Sequence, residues 1–308
     1  MSNTLASLRH KITGAEQLGS VVRAMKAVAA SSIGQYEAAV DALGDYQRSV
    51  ELGLSLCLRE DLAVATPAPA FASAASRDRP IGALIFGSDQ GLVGRFNEVI
   101  GDFALGALRE LPGRKTIWVV GERVCSYLED TGLVITKRFT VPNSVAAITA
   151  LVTEIQIEIE AYTGGEHQGE VQVFHNRPRS AASYEVACQR LLPLDAAWRR
   201  RLVEIPWPNA HFAEVLGGGV KSLAALVHEH LFISLYKACA ESLASENASR
   251  LEAMQRAEKN IESVSAELRR SLNRLRQSSI DEELFDVVAG FEAQTPRPRE
   301  APGRDPPP

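Results

Sequence analysis

Proline punctuates the middle of this 308-residue chain and is missing from a long stretch on either side of it. Prolines stand at 67, 69, 80, 112, 142, 178, 193, 206 and 208, and the next is Pro296. Residues 209–295 therefore lack the one residue that most reliably breaks a helix. Within that window small or apolar residues recur at Asn247, Leu251, Met254, Ala257, Ile261, Val264, Leu268, Leu272 and Leu275. Their mean spacing is about 3.5 residues, the period of a left-handed coiled-coil seam. Charged side chains such as Glu252, Arg256, Glu258, Lys259 and Glu262 fill the positions between. A helix from Val220 to Gly290 would run roughly 105 Å at 1.5 Å per residue. A helix of that length needs a partner for its apolar stripe.

The partner is expected at the other end of the chain. Residues 1–66 are also free of proline. Leu8, Ile12, Ala15, Leu18, Val22, Met25, Ala29, Ile33, Tyr36, Val40 and Leu43 repeat at about the same 3.5-residue spacing. Ser2 or Asn3 offers an N-cap. Ala24, Ala27, Ala29 and Ala30 keep this helix slim, so that a neighbouring backbone can approach it. Two seam helices at opposite chain ends predict an antiparallel coiled coil closed by whatever lies between them.

Between them the pattern changes. Residues 63–79 are Ala/Pro/Ser-rich and read as a linker. From Pro80 short apolar runs alternate with amphipathic segments. Strands are predicted at Ile81–Phe86, Thr116–Gly121, Leu133–Thr136 and Glu170–His175, and helices at Arg95–Leu111, Glu122–Asp130 and Ser144–Tyr162. That alternation signals βαβ units and a mostly parallel sheet. One more strand, antiparallel at an edge, is expected from Ala182 to Pro193. The fold class is thus α/β, a long antiparallel coiled coil of N- and C-terminal helices with an inserted Rossmann-like α/β domain. The expected divisions are residues 1–62 plus 212–293 for the coiled-coil shaft, 80–195 for the Rossmann-like domain, and 294–308 for a disordered tail holding six of the fifteen prolines.

Composition narrows the function classes. A net charge of −5 gives no general expectation of nucleic-acid binding, and no run approaches the ~20 apolar residues of a membrane span. The N-terminus lacks the apolar core of a signal peptide, being interrupted by Arg9, His10 and Lys11. The four cysteines are scattered, as expected for free thiols in a reducing compartment.

The first strand–turn–helix unit invites a dinucleotide reading, which its residues oppose. The turn Gly87-Ser88-Asp89-Gln90-Gly91-Leu92-Val93-Gly94 has Asp89 where GxGxxG needs its second glycine, and a carboxylate there repels a pyrophosphate. Arg95-Phe96 follows Gly94 where a P-loop has Lys-Ser/Thr. Asp89 fits a turn or helix-capping role better than a catalytic one. His228 and His230 are two apart on a helix, so their rings diverge and cannot share a metal. His175 is expected to be a surface residue at a strand end. Arg269, Arg270, Arg274 and Arg276 cluster on the long helix, where Arg270 and Arg274 repel at i, i+4. Such a collar makes most sense facing an acidic partner. These residues predict no catalytic site, cofactor or metal; the weight falls on an interaction role. The alternative is a stand-alone α/β enzyme with a helical oligomerisation arm.

Four segments carry a resemblance. RAMKAVAASS (Arg23–Ser32), SDQGLVGRFN (Ser88–Asn97), ESLASENASRLEAM (Glu241–Met254) and NRLRQSSIDEELFDVVAG (Asn273–Gly290) occur in this order on the expected architecture. With them the chain resembles the gamma subunit of F-type ATP synthases from Leu5 to about Ala293. The resemblance implies a central-stalk rotor that couples ion flow through a membrane ring to ATP synthesis or hydrolysis on beta subunits. Its helices would enter a ring of alpha and beta subunits, and its α/β domain would meet the epsilon subunit and the ring of c subunits. The place implied is peripheral, on the cytoplasmic face of a bacterial plasma membrane. By position, Met25, Lys26, Arg276, Gln277 and Asp281 match beta-contacting residues, and Arg269 and Arg270 would face acidic loops of beta.

The chain also departs from that pattern. Asp281 stands where the family usually has threonine, and Val93-Gly94-Arg95 where it commonly has Cys-Gly and a small residue. The plant-type regulatory insert is absent, and the proline-rich tail is unusual. These departures are compatible with the alternative, sodium-linked bacterial branch.

Overall fold

The computed structural model describes residues 4–64, 79–164, 169–180, 183–194, 196–208, 215 and 219–294. Apart from their edges, the expected linker at 63–79 and the expected tail at 294–308 lie outside the described residues. The elements in chain order are α1 (Leu5–Val64), β1 (Ile81–Phe86), α2 (Phe96–Glu110), β2 (Lys115–Val120), α3 (Glu122–Asp130), β3 (Lys137–Phe139), α4 (Val145–Thr163), β4 (Glu170–Ser180), β5 (Ser183–Leu192), α5 (Ala196–Val203) and α6 (Gly219–Gln294). The proline-free stretches have become single helices, 60 residues for α1 and 76 for α6. The chain divides into two compact units, one of Met1–Arg23 with Arg256–Pro308, the other of Ala24–Gln255. Both long helices contribute to each unit.

The larger unit is built on a five-stranded sheet in the order β3-β2-β1-β4-β5. The first four strands are parallel and β5 closes the β4 edge antiparallel, as the sequence predicts. All six residues of β1 are buried, because helices cover both faces of the sheet. On one face Ile100, Ala104 and Leu108 of α2 and Val124, Cys125 and Leu128 of α3 pack over Ile85, Val119 and Phe174. On the other, Ile148, Val152, Ile155 and Ile159 of α4 share a core with Leu84, Phe86, Trp118, Tyr36 of α1, and Leu235, Cys239 and Leu243 of α6. The third core is helical: Val50, Leu54 and Leu58 of α1 meet Leu202 of α5 and Leu223 and Ile233 of α6. There Gly53 lets α6 approach, since a Cβ on it would stand 3.1 Å from Leu226.

One strand is displaced from its expected place. The apolar run Leu133–Thr136 lies outside the sheet; β3 is the more polar Lys137–Phe139, paired from Trp118↔Lys137 onward. Leu133 and Ile135 instead pack from a loop against the α2–α3 core, while Val134 is 82% exposed. A Thr131-Gly132 turn, with Gly132 at φ +84°, feeds that loop. The hydrophobic signal was real, but it marked burial beside the sheet edge.

The smaller unit is an antiparallel helix pair, in which Glu16 of α1 bonds Arg269 of α6 at 2.7 Å. Its seam differs from expectation at two positions. Leu18 is 61% and Val264 51% exposed, whereas Gly19 is buried and Ser265 half-buried. A Cβ on Gly19 would lie 3.5 Å from Ile261 Cγ2. A period of 3.5 leaves a choice between neighbouring positions. Here small residues face inward, allowing the helices to approach closely, and the larger Leu18 and Val264 turn outward.

Candidate interaction surfaces

The loop after β1 has its polar groups committed to neighbouring elements. Gly87 must lack a side chain, since a Cβ there would meet Val124 Cγ1 at 2.2 Å. The buried Ser88 donates its N–H to Asn97 Oδ1 (3.0 Å), and its Oγ accepts from Asn97 Nδ2 (2.9 Å). Asp89 does cap a helix. Its Oδ1 accepts the N–H of Glu122 at the start of α3 (2.9 Å), and its Oδ2 accepts the N–H of Val141 (3.0 Å). The helix capped is α3, which follows the neighbouring strand β2, so the carboxylate holds a helix end that an anionic ligand would want. Gly121, at φ +112°, brings β2 so close that a Cβ would sit 2.7 Å from Ser88 N.

The histidines divide. His175, expected at the surface, is buried; β4 continues to Ser180, so His175 is an interior strand residue under α6. Its Nε2 lies 2.9 Å from Glu241 Oε2. His228 meets Glu160 at 2.8 Å, whereas the His230 ring stacks at 5.0 Å from Trp198 and its burial lowers its pKa. The two rings thus have separate partners, as their spacing on one helix requires. Among the described residues no group of three or more His, Cys, Asp or Glu is placed to hold a metal.

Helix α6 is tied to the α/β sheet through Glu241–Met254. Ser249 Oγ donates to the carbonyl of Val93 (2.5 Å) and Ser245 Oγ to that of Asn176 (3.2 Å). Glu246, 6% exposed, accepts from Arg250 at 2.6 Å, and Arg250 also reaches Asn247 Oδ1 at 3.2 Å. Burial raises the Glu246 pKa against the pull of Arg250. Two of the segments singled out in the sequence, Ser88–Asn97 and Glu241–Met254, are thus in direct contact.

In the smaller unit α6 becomes bare. Every residue from Asp281 to Gly290 is exposed, and the apolar ones include Leu284 (59%), Phe285 (72%) and Val287 (70%). Counting eleven residues along each helix from the Glu16–Arg269 pair puts Leu5, the first residue of α1, level with Ile280. Beyond that point α6 runs past the described part of α1.

A family model described as ATP synthase matches residues 4–294. The chain belongs to the ATP synthase gamma family. It is 29% identical over 295 residues to the ATP synthase gamma chain of Anaeromyxobacter sp. (strain K), covering 94% of this chain and 99% of the relative. With the gamma chain of Granulibacter bethesdensis it shares 27% identity over 310 residues, 94% of this chain and 99% of the other. Its fold is similar to a chain in the rotor of the Euglena gracilis mitochondrial ATP synthase, with a TM-score of 0.60 at 16% identity over 90% of this chain and 98% of that one. The central stalk/c-ring structure of the Tetrahymena thermophila mitochondrial ATP synthase gives a TM-score of 0.52 at 23% identity, over 77% and 99% of the two chains.

In this gamma-family chain the residues expected to contact beta fall in both units. Met25 and Lys26 are half-buried on α1 in the larger unit. Arg269, Arg270, Arg276, Gln277 and Asp281 are all exposed on α6 in the smaller one. Arg269 is engaged by Glu16, and Arg270 Nε donates to its own helix at Ala266 O (3.3 Å). The exposed apolar group at 284–288 was not among the expected contact residues. Its spacing is visible in the sequence, since Ile280, Leu284 and Val287 are again four and three apart, but a step of five from Leu275 puts them on a different face from the seam.

Proposed function

We propose that this chain is the central-stalk rotor subunit of an F-type ATP synthase, coupling ion flow through the membrane ring to ATP synthesis or hydrolysis on the beta subunits. The observation that carries the reading is the bare end of α6. A gamma-family helix with Leu284, Phe285, Val287 and Val288 exposed together needs an apolar sleeve from other chains. The alpha and beta subunits would supply that sleeve. Four arginines at 269, 270, 274 and 276 precede the apolar end, and Asp281, Glu282 and Glu283 lie within it. Such a helix presents different chemistry in different directions, so three equivalent neighbours would each meet a different face. That asymmetry is what a rotor needs to hold three catalytic sites in different states.

In this reading the α/β unit would meet the epsilon subunit and the ring of c subunits. The chain would sit peripherally at the cytoplasmic face of a bacterial plasma membrane; no described helix is long and apolar enough to cross one. The enzyme alternative loses its ground at the loop after β1, where Ser88 and Asp89 are already committed to Asn97, Glu122 and Val141.

The test is co-expression of the full chain with alpha and beta subunits, followed by native mass and ATPase measurements. One copy of this chain per three alpha–beta pairs, with ATPase lost on deletion of residues 273–290, is the expected result. A chain that stays apart from a ring whose activity ignores it would overturn the proposal.

A further inference from the structure

Where α6 passes the sheet, much of its buried surface is polar. Ser242, Ser245, Glu246, Asn247 and Ser249 are all buried. Adhesion does not explain them, because Leu235, Ala238, Cys239, Leu243 and Ala244 already join α6 to the core it shares with α4 and the sheet. Buried polar groups add little net attraction and carry a cost wherever a partner is missed.

Three side chains of this stretch form a ladder. Glu241, Ser245 and Ser249 are four apart, so they follow one stripe of the helix. Glu241 Oε2 lies 2.9 Å from His175 Nε2, Ser245 Oγ donates to the carbonyl of Asn176 at 3.2 Å, and Ser249 Oγ donates to that of Val93 at 2.5 Å. His175 and Asn176 are consecutive on β4, and Val93 belongs to the loop after its neighbour β1. All three are buried. Moving α6 on by one residue shifts each rung by about 100° and about 1.5 Å. The three bonds then break together, and the buried carbonyls of Val93 and Asn176 lose their donors. Apolar contacts have no such directionality and can be remade in a neighbouring register.

We infer that Glu241, Ser245 and Ser249 fix the rotational register of α6 on the α/β fold, and that this ladder passes torque between that fold and the long helix. In the rotor reading, on which this rests, the ring of c subunits turns the α/β fold and α6 carries the turn to the catalytic ring. The ladder is an internal fastening between those two contacts, and its α6 members are positioning residues that act through the helix they orient. Hydrolysis by the catalytic ring requires only that α6 turn inside it. Ion pumping requires in addition that the α/β fold turn with α6. Weakening the ladder therefore separates the two activities.

The experiment uses the complete membrane-assembled complex carrying the full chain, in vesicles. ATP hydrolysis and ATP-driven ion uptake are measured on the same preparation, protons with a quenched dye and sodium with a radioactive tracer. S245A/S249A removes two rungs without adding volume. Native and slipped registers then approach one another in free energy, so the ions moved per ATP should fall to about half the parent value or lower. Hydrolysis should stay near that of the parent. S245A alone, which loses only the longer of the two serine bonds, should fall between; if the double variant does not assemble, the S245A ratio decides by the same criterion. L243A truncates the apolar core on the same helix and is expected to lower the melting temperature at least as far as the double variant, yet to keep the parent's ion-to-ATP ratio. A serine variant with the parent's ratio, or an L243A complex that loses the ratio equally, overturns the ladder and leaves the rotor reading intact. A parent complex that hydrolyses ATP and moves no ion overturns both.

Discussion

Ser249 Oγ on α6 donates a 2.5 Å hydrogen bond to the carbonyl oxygen of Val93, 156 residues earlier in the chain. Both residues are buried, and the Tyr184 hydroxyl also bonds Ser249. This contact fastens the loop after β1 to the long helix. Replacing Ser249 with alanine leaves a buried carbonyl without that donor, at a cost of about 1–3 kcal/mol. Urea unfolding of S249A should show a lowered midpoint, and amide exchange should rise in residues 88–97. Unchanged exchange there would mean the loop is held by other contacts.

Asp89 makes a second fastening, between two backbone N–H groups, those of Glu122 and Val141. Alanine at this position uncaps α3 and releases Val141 from the loop, so D89A should cost about 1–2 kcal/mol. D89N keeps one carboxamide oxygen and should lose less. The melting temperatures are therefore expected in the order parent, D89N, D89A; equal values for the two variants would deny the bidentate role.

Much of this architecture could be read from residue spacing. The absence of proline marked α1 and α6, and the alternation of apolar runs marked the parallel sheet, because both are local periodicities that burial enforces. The misplaced features all depended on tertiary choices. A 3.5-residue period could not say whether Leu18 or Gly19 faces the partner, since that depends on how closely the helices approach. His175 looked like a strand terminus because the polar Asn176 and Arg177 follow it. The antiparallel β5 nevertheless extends β4 to Ser180, and α6 then buries the histidine.

Tyr162 offers a prediction of opposite sign. Its ring stacks edge-on against Trp118 with centroids 5.2 Å apart, in space left by Gly82 and Gly169. Its hydroxyl is buried with no partner among the described residues, and burial pushes its pKa up to about 12. Phenylalanine retains the ring contact and removes the unsatisfied oxygen, so Y162F should be neutral or more stable by up to about 1 kcal/mol. A clear loss of stability in denaturant titration would reveal a partner for the hydroxyl.

Glu246 predicts a pH dependence. Its folded pKa lies above the ordinary carboxylate value of 4.5, chiefly through burial, with Arg250 opposing. The folded chain therefore holds this proton more tightly than the unfolded chain. Stability from this group is fully present below the unfolded value and declines as pH rises from about 4.5 through the folded pKa. In E246Q that decline is removed, and the slope of unfolding free energy against pH over this window should become less negative. Parallel pH profiles for parent and variant would refute the assignment.

The bare end of α6 separates folding from assembly more sharply than any core position. Phe285 is 72% exposed, so truncating it to alanine removes almost no intramolecular contact and should change the stability of the isolated chain by less than about 0.5 kcal/mol. If other subunits enclose this segment, the same ring becomes buried, and aromatic side chains at the centre of an interface commonly contribute 2 kcal/mol or more. F285A should then melt like the parent yet bind the alpha–beta ring at least about tenfold more weakly. Arg269 provides the control within the same helix pair. Its bond to Glu16 joins two side chains that are each more than half exposed, where an ion pair is worth little, so E16Q should leave both melting and ring binding near the parent values. Native mass measurements on the co-expressed complexes read the contrast directly. Equal occupancy of the ring by parent and F285A would show that the apolar end is not the surface it grips.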